Sequence, residues 1–260
     1  MRTVLKAVLV FLGILVFIAV LALARCFFIF SRKRRTYCVS YMLQTFNKIL
    51  ICILGIKVKL LKETQDLRAK GVFFVINHFS YIDGIVAGSI FPFVFIGKTE
   101  LKNWPLLGMM IQLSDTVFVD RVNILNIKYE LEKVTFLLDN NVNVILFPEG
   151  TSSDGKAAIP FKSSFFAAPL QSGCKIVPLT IKYRKINGRE INDYNKDLIY
   201  WYGDMEFFSH FVGVLGLRSI EVELKVNPPL QVRDVPEQTL SVKRKYVSDL
   251  CQEIICSQPD

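Results

Sequence analysis

No aspartate or glutamate occurs in the first 62 residues of this 260-residue chain, a stretch that holds eleven Lys and Arg. The other 198 residues carry 21 basic and all 23 acidic side chains, a formal charge of −2. The whole-chain charge of +9 therefore belongs to the front. A nucleic-acid partner needs a basic patch on the globular body, and this count provides none. Histidine is scarce, with His78 and His210 alone. The six cysteines, at 26, 38, 52, 174, 251 and 256, form no CxxC pair and have no histidines at ligand spacing. They read as free thiols in a reducing compartment. HExxH, the P-loop pattern and GxGxxG are all missing, so no metal or nucleotide cofactor is expected. The GxSxG elbow is missing too, which argues against a hydrolase of the α/β-hydrolase type.

What is abundant is hydrophobicity, at 52% of residues with a mean hydropathy of +0.36. Its surplus lies in Ala7 to Ala24, 18 uncharged residues between Lys6 and Arg25. As a helix this run is roughly 27 Å long, against a hydrocarbon core of about 30 Å. Extension through Cys26–Phe30 makes it long enough to cross, with Arg25 snorkelling. Arg32-Lys33-Arg34-Arg35 follows, where a cleaved leader would have a small-residue site. The segment is expected to be a retained membrane anchor, and its length leaves open whether it crosses or stays in one leaflet. Its basic flank suits anionic head groups on a cytoplasmic leaflet, or a positive-inside topology signal alone. Tyr37 to Leu54 reads as a second, more polar helix ended by Gly55. Residues 1–60 are thus set apart from a body at 61–260.

Within the body, apolar strand-like runs alternate with helical patterns. Gly71–Ile76, Phe93–Ile96, Thr116–Val119, Asn143–Phe147 and Lys175–Lys182 are short and rich in Val, Ile and Phe. Asn123–Asn140 places Ile124, Ile127, Leu131, Val134 and Leu138 at helical spacing, and Phe161–Leu170 reads as a shorter helix. Ile56–Leu60 alternates apolar with basic residues, and Ser219–Val226 alternates as a late, edge-type strand. Leu240–Ile255 closes as an amphipathic helix. The expected fold is α/β, a mostly parallel sheet flanked by helices, preceded by an N-terminal membrane-binding helix pair.

Polar residues gather where strands should end, the usual place for chemistry in such folds. Behind the first strand stands Asn77-His78-x4-Asp83, and a spacing of five does not stack on one helical face. It works if His78 is on the loop and Asp83 in the first helical turn. The carboxylate then accepts from one ring nitrogen and leaves the other as a base. Next come Gly97-Lys98-Thr99-Glu100-Leu101, then Phe118-Val119-Asp120-Arg121, then Phe147-Pro148-Glu149-Gly150-Thr151-Ser152. Lys98 and Arg121 are natural oxyanion or phosphate ligands, and Gly150 lets backbone approach a ligand closely. Each block taken singly also fits a surface charge or an ordinary turn.

In order, these blocks resemble the lysophospholipid acyltransferase family that includes 1-acylglycerol-3-phosphate acyltransferases, known by NHxxxxD, a Lys/Arg block ending in FxDR, FPEGT and a VP-bearing strand. Here the last is Ile176-Val177-Pro178-Leu179, and the resemblance spans roughly 70–180. It implies His78 as general base, Asp83 as its orienting partner, and acceptor binding by Arg121, Glu149, Gly150, Thr151 and Ser152, with Lys98 beside them. It implies acyl-CoA or acyl-acyl carrier protein as co-substrate, no cofactor, and a lysolipid acceptor. It places the protein among membrane lipids with its site on the cytoplasmic face, the inner membrane if bacterial. Many members have arginine where this chain has Ser152. The run Phe147–Gly155, Pro160-Phe161-Lys162 and Tyr202-Gly203-Asp204-Met205 are similar to the subgroup acylating lyso-ornithine lipid. The competing expectation is a non-catalytic, acyltransferase-like membrane protein that binds lipid or a partner.

Overall fold

The computed structural model describes residues 1–62, 71–119 and 124–257. Two long helices lead, α1 (Arg2–Phe27) and α2 (Arg32–Leu54). The second starts five residues earlier than its apolar pattern, because Ser31 caps it, its hydroxyl accepting from Arg34 N–H at 3.4 Å. Gly55 ends it in the left-handed region at φ 78°, where a Cβ would meet Arg218 O at 2.5 Å, so only glycine fits. The helices pack together through stacked Phe17 and Phe46, ring centroids 4.2 Å apart.

The strands follow as β1 (Ile56–Lys62), β2 (Phe73–Ile76), β3 (Val94–Lys98), β4 (Val117–Val119), β5 (Val144–Leu146), β6 (Ile176–Ile186), β7 (Arg189–Glu190) and β8 (Ile220–Val226). Between them lie α3 (Ile82–Ile90), α4 (Leu107–Leu113), α5 (Ile124–Asp139), α6 (Ala167–Ser172) and α7 (Phe207–Gly216), with α8 (Leu240–Cys256) last. The sheet order is β1-β8-β6-β2-β5-β3-β4, with β7 paired on β6. The five strands from β6 to β4 are parallel, and β8 turns antiparallel on β6 with β1 parallel beyond it. The edge position expected for Ser219–Val226 is taken by β1, which pairs β8 from Ile56↔Ile220 to Lys62↔Val226. The division drawn at residue 60 thus falls inside a strand of the sheet.

Alternation along the strands divides the core between two faces. Phe74, Ile76 and Ile145 pack with α1, α2, α3 and α7, while Phe73, Val75, Val144 and Leu146 pack with α5, α6 and α8. The expected helix over 161–170 is a 3-10 turn at Ser164–Phe166 followed by α6. Its first residues are drawn sideways instead, Phe161 N–H to Gln252 Oε1 at 3.0 Å and Lys162 N–H to Pro148 O at 2.9 Å. The helices α4 and α7 are too short and too uniformly apolar to have declared themselves in sequence.

From β2 the chain crosses by α3, past β5, to β3; from β5 it crosses by α6, past β2, to β6. The neighbours β2 and β5 therefore send their chains in opposite directions. Their carboxyl ends frame a crevice of the kind where α/β sheets bind ligands.

Candidate active site

Strand β2 is wholly buried and delivers Asn77 and His78 to that crevice. Asn77 pins the end of the strand to β6: its amide donates to Ile181 O at 3.0 Å and accepts from Ile181 N–H at 2.9 Å. Past it the chain turns, and Asp83 enters the first turn of α3 with its side chain fully buried. One oxygen, Oδ2, accepts from His78 Nδ1 at 2.9 Å, Phe79 N–H at 2.6 Å and Ser80 N–H at 2.8 Å. The other, Oδ1, accepts from the Tyr183 hydroxyl at 2.6 Å. Four donors among the described residues and a helix N-terminus meet this carboxyl group in a buried place. With Nδ1–H donated to Asp83, the lone pair of His78 sits on Nε2. Ser80 is buried and its Oγ accepts from Ile82 N–H, so it is not presented as a nucleophile.

Strand β5 supplies the opposite wall. Glu149 Oε1 accepts from His78 N–H at 3.1 Å, and Ser153 N–H donates to His78 O at 3.0 Å. The histidine backbone is thus gripped on both sides by the loop after β5. The Phe147 ring lies 4.2 Å from the imidazole. Burial pushes the Glu149 carboxyl up to about 7, the His78 N–H opposing and the Asp83 charge adding to the shift. Gly150 turns the chain at φ 73°, and its N–H is spent on Phe147 O at 3.0 Å. Thr151 is exposed and Ser152 buried. Asp154 is engaged by Lys196, whose Nζ lies 3.6 Å from Oδ2 and donates to Asp154 O at 2.8 Å.

Six of the expected residues therefore gather about this crevice: His78, Asp83, Glu149, Gly150, Thr151 and Ser152. Lys98 ends β3, the strand beyond β5, and so stands on the same edge of the sheet. Arg121 lies outside the described residues. Tyr183 is the participant that the sequence did not announce. It sits a hundred residues from Asp83, beside a register shift where β6 bulges against β8. Burial and the Asp83 charge raise its phenol well above the ordinary range, so it is a donor throughout the neutral range. Among the described residues no group of three or more His, Cys, Asp or Glu converges as a metal site.

An aromatic wall flanks the motif. Tyr81 meets Trp201, Phe207 and Phe211 edge-on, and Trp104 lies 4.4 Å from Phe207. The Trp201 backbone N–H donates to Phe79 O at 2.9 Å, which ties this wall to the loop after β2. The Tyr81 hydroxyl lies 3.0 Å from Nδ1 of His210, the chain's second histidine.

A fixed imidazole, its side chain one-fifth open to solvent, can take a proton from a hydroxyl. Comparison with known proteins narrows the chemistry. Residues 57–182 match a family model described as Acyltransferase. The chain is similar to the lyso-ornithine lipid O-acyltransferase of Brucella abortus, 30% identical over 72% of either chain. It is also similar to the 1-acyl-sn-glycerol-3-phosphate acyltransferase of Neisseria gonorrhoeae, 34% identical over 46% of this chain and 47% of that one. The crystal structure of a 1-acyl-sn-glycerophosphate acyltransferase from Thermotoga maritima shares the fold, with a TM-score of 0.57 over 97% of this chain and 95% of that one at 20% identity.

Proposed function

This chain belongs to the acyltransferase family, and from that membership we propose that it transfers a fatty acyl group from an acyl thioester to the hydroxyl of a lysolipid. The observation that carries the reading is the His78–Asp83 pair, with the carboxylate fixed by four donors and the imidazole left one open nitrogen. The acceptor hydroxyl gives its proton to His78 Nε2 as its oxygen attacks the thioester carbonyl. A C–O bond forms, the C–S bond breaks, and the thiolate of coenzyme A or acyl carrier protein takes the proton from the imidazolium. Asp83 stabilises that imidazolium and fixes its tautomer. The aromatic wall around Tyr81 and Trp201 gives an acyl chain an apolar surface next to the reacting centre.

Two features support a membrane setting. Both α1 and α2 are long and apolar enough to cross a bilayer. Yet α1 is tied down at both ends. Arg2 donates to Gly216 O at 2.9 Å and Lys6 to Leu54 O and Leu217 O, while Arg25 donates to Gln112 O and Leu113 O. A helix strapped along the body presents a stripe to lipid, here Val4, Val8, Phe11, Leu12 and Leu15, without standing away from it. The hairpin then rests in one leaflet, with the site on the cytoplasmic face.

Lyso-ornithine lipid is the acceptor we favour over lysophosphatidate. A phosphate monoester needs more than one fixed cation, and Ser152 stands where many relatives of the family have arginine. The test is release of free thiol from acyl-CoA or acyl-acyl carrier protein, with lyso-ornithine lipid and lysophosphatidate offered separately. His78→Ala should lower the rate by about two to four orders of magnitude. A folded His78→Ala protein with near-normal turnover would overturn the mechanism.

A further inference from the structure

The basic residues at the turn of the hairpin do not simply coat the surface. Arg25 from the end of α1, Arg32 and Arg35 from the start of α2, Lys102 after β3 and Lys133 of α5 line one cavity of about 550 Å³. It lies along β4, the outermost strand, three strand spacings or about 14 Å from β2. Among the described residues a single lining carboxylate, Asp115, faces these cations. Asp115 is consumed by Arg35 in a two-pronged contact at 3.0 and 3.1 Å, by Arg25 at 3.0 Å and by the Thr36 hydroxyl at 3.0 Å. That cluster is the clamp that fixes the hairpin to the body.

The clamp leaves Arg32 and Lys102 over. Each lies above a ring, Arg32 over Phe136 at 5.0 Å and Lys102 over Phe118 at 4.6 Å, and neither meets a carboxylate among the described residues. Lys133 is held by Glu130 at 3.0 Å. Ring faces orient cations but do not neutralise them. Like charges brought together from three parts of the chain repel one another unless an anion joins them. Beside the cavity, the turn between α1 and α2 projects Phe27, Ile29 and Phe30, 81%, 66% and 100% exposed. Cations at head-group level next to apolar side chains match one ligand chemistry, an anionic head group with its acyl chains attached.

We propose that this cavity is an accessory binding site for the phosphodiester head group of an anionic membrane lipid, separate from the acyl-transfer site. The proposal rests on the reading that the hairpin lies in a bilayer. It adds that the protein retains a particular lipid there, beyond a diffuse attraction to negative surfaces.

Native mass spectrometry of the full-length protein in mixed phosphatidylglycerol and phosphatidylcholine micelles tests it. Wild type should retain one phosphatidylglycerol per chain. The variant Arg32→Gln/Lys102→Gln should bind it roughly tenfold or more weakly, since each basic side chain near a charged surface adds to the attraction. Lys33→Gln/Arg34→Gln removes the same charge from neighbouring exposed positions and should keep the lipid. Both pairs sit on exposed residues, and Lys133→Gln gives a third, single-site check. Equal loss in the two double variants would mean diffuse attraction and overturn the site. Equal displacement of the lipid by inorganic phosphate would make it a soluble-anion site and also overturn it. A raised KM for the acceptor in neutral micelles for Arg32→Gln/Lys102→Gln would assign the cavity to the acceptor instead. Flotation with pure phosphatidylcholine vesicles tests the hairpin separately. Flotation without lipid retention would defeat the cavity alone, and the absence of both would defeat the membrane reading as well.

Discussion

The Tyr183 hydroxyl donates to Asp83 Oδ1 at 2.6 Å, across a hundred residues of chain and inside the fully buried face of the sheet. The other three donors to Asp83 come from the five residues around the motif itself, all of them onto Oδ2. Among the described residues Tyr183 alone satisfies the second oxygen. It therefore sets the rotation of the carboxylate, and through it the direction in which His78 points.

Tyr183→Phe keeps the ring and removes that donor. The buried Oδ1 loses its partner, which should cost about 1–3 kcal/mol of stability. Tyr183 acts through Asp83, so it is a positioning residue: kcat should fall roughly tenfold or more while KM for the acceptor changes little. A melting curve and a kcat-against-KM comparison read both effects. Loss of stability with unchanged kcat would reduce Tyr183 to a packing role.

Glu149 gives a prediction with a sign fixed by its environment. Its carboxyl is raised from 4.5 to about 7, chiefly by burial, so the folded protein holds this proton more tightly than the unfolded chain does. The stability it contributes is fully present below about 4.5 and is lost as pH rises through about 7. Glu149→Gln still offers an oxygen to His78 N–H and has no proton to lose. Its melting temperature should gain on wild type between about pH 5 and pH 7 and level off above that. Parallel curves over that range would show that Glu149 is ionised without cost.

The parts of this site that were legible in the sequence are the local ones. The Asn77–Asp83 block could be placed on a loop and a first helical turn, because five residues suffice to state the geometry. The parallel sheet was legible from the apolar runs, and parallel strands put their carboxyl ends on one edge. Contacts between distant segments were not. Nothing around Tyr183 distinguishes it from any aromatic residue on a strand, and its aim depends on a bulge created by pairing with β8. The clasp of Asn77 on Ile181 depends likewise on which strand lies beside β2. The basic run 32–35 was legible as charge, but its first residue and its last serve different partners, which only the packing of α2 on the body decides. Strand β1 was legible as a half-exposed alternation, and its place at the edge beside β8 was not.

The hairpin tip can be tested without disturbing the core. Phe27, Ile29 and Phe30 are exposed, whereas Val10, Phe17 and Leu21 of α1 are buried against the body. Truncating α1 would therefore uncover core surface and confound binding with unfolding. Replacing Phe27, Ile29 and Phe30 together by Ser should leave the melting temperature within a few degrees. It should weaken binding to neutral vesicles by well over tenfold, since each buried side chain contributes about 1.5–3 kcal/mol. Unchanged flotation would place the membrane contact elsewhere on the chain.

The acceptor prediction turns on Ser152. This residue is buried in the loop whose next backbone N–H, at Ser153, holds His78 O, so its backbone adjoins that of the histidine. A hydroxyl there adds no charge. The carboxylate of Asp154, two residues on, is already matched by Lys196 and cannot be counted on to receive an ornithine ammonium. The preference for lyso-ornithine lipid then rests on missing positive charge, since a dianionic phosphate finds one fixed cation fewer than in relatives with arginine. Ser152→Arg should raise the use of lysophosphatidate relative to lyso-ornithine lipid about tenfold, at some cost in stability for a longer side chain in a buried position. Competition between the two acceptors, with one donor and purified protein, measures the ratio. A strong wild-type preference for lysophosphatidate that Ser152→Arg leaves unchanged would show that the cations already on this edge suffice, and the assignment of the acceptor would fall.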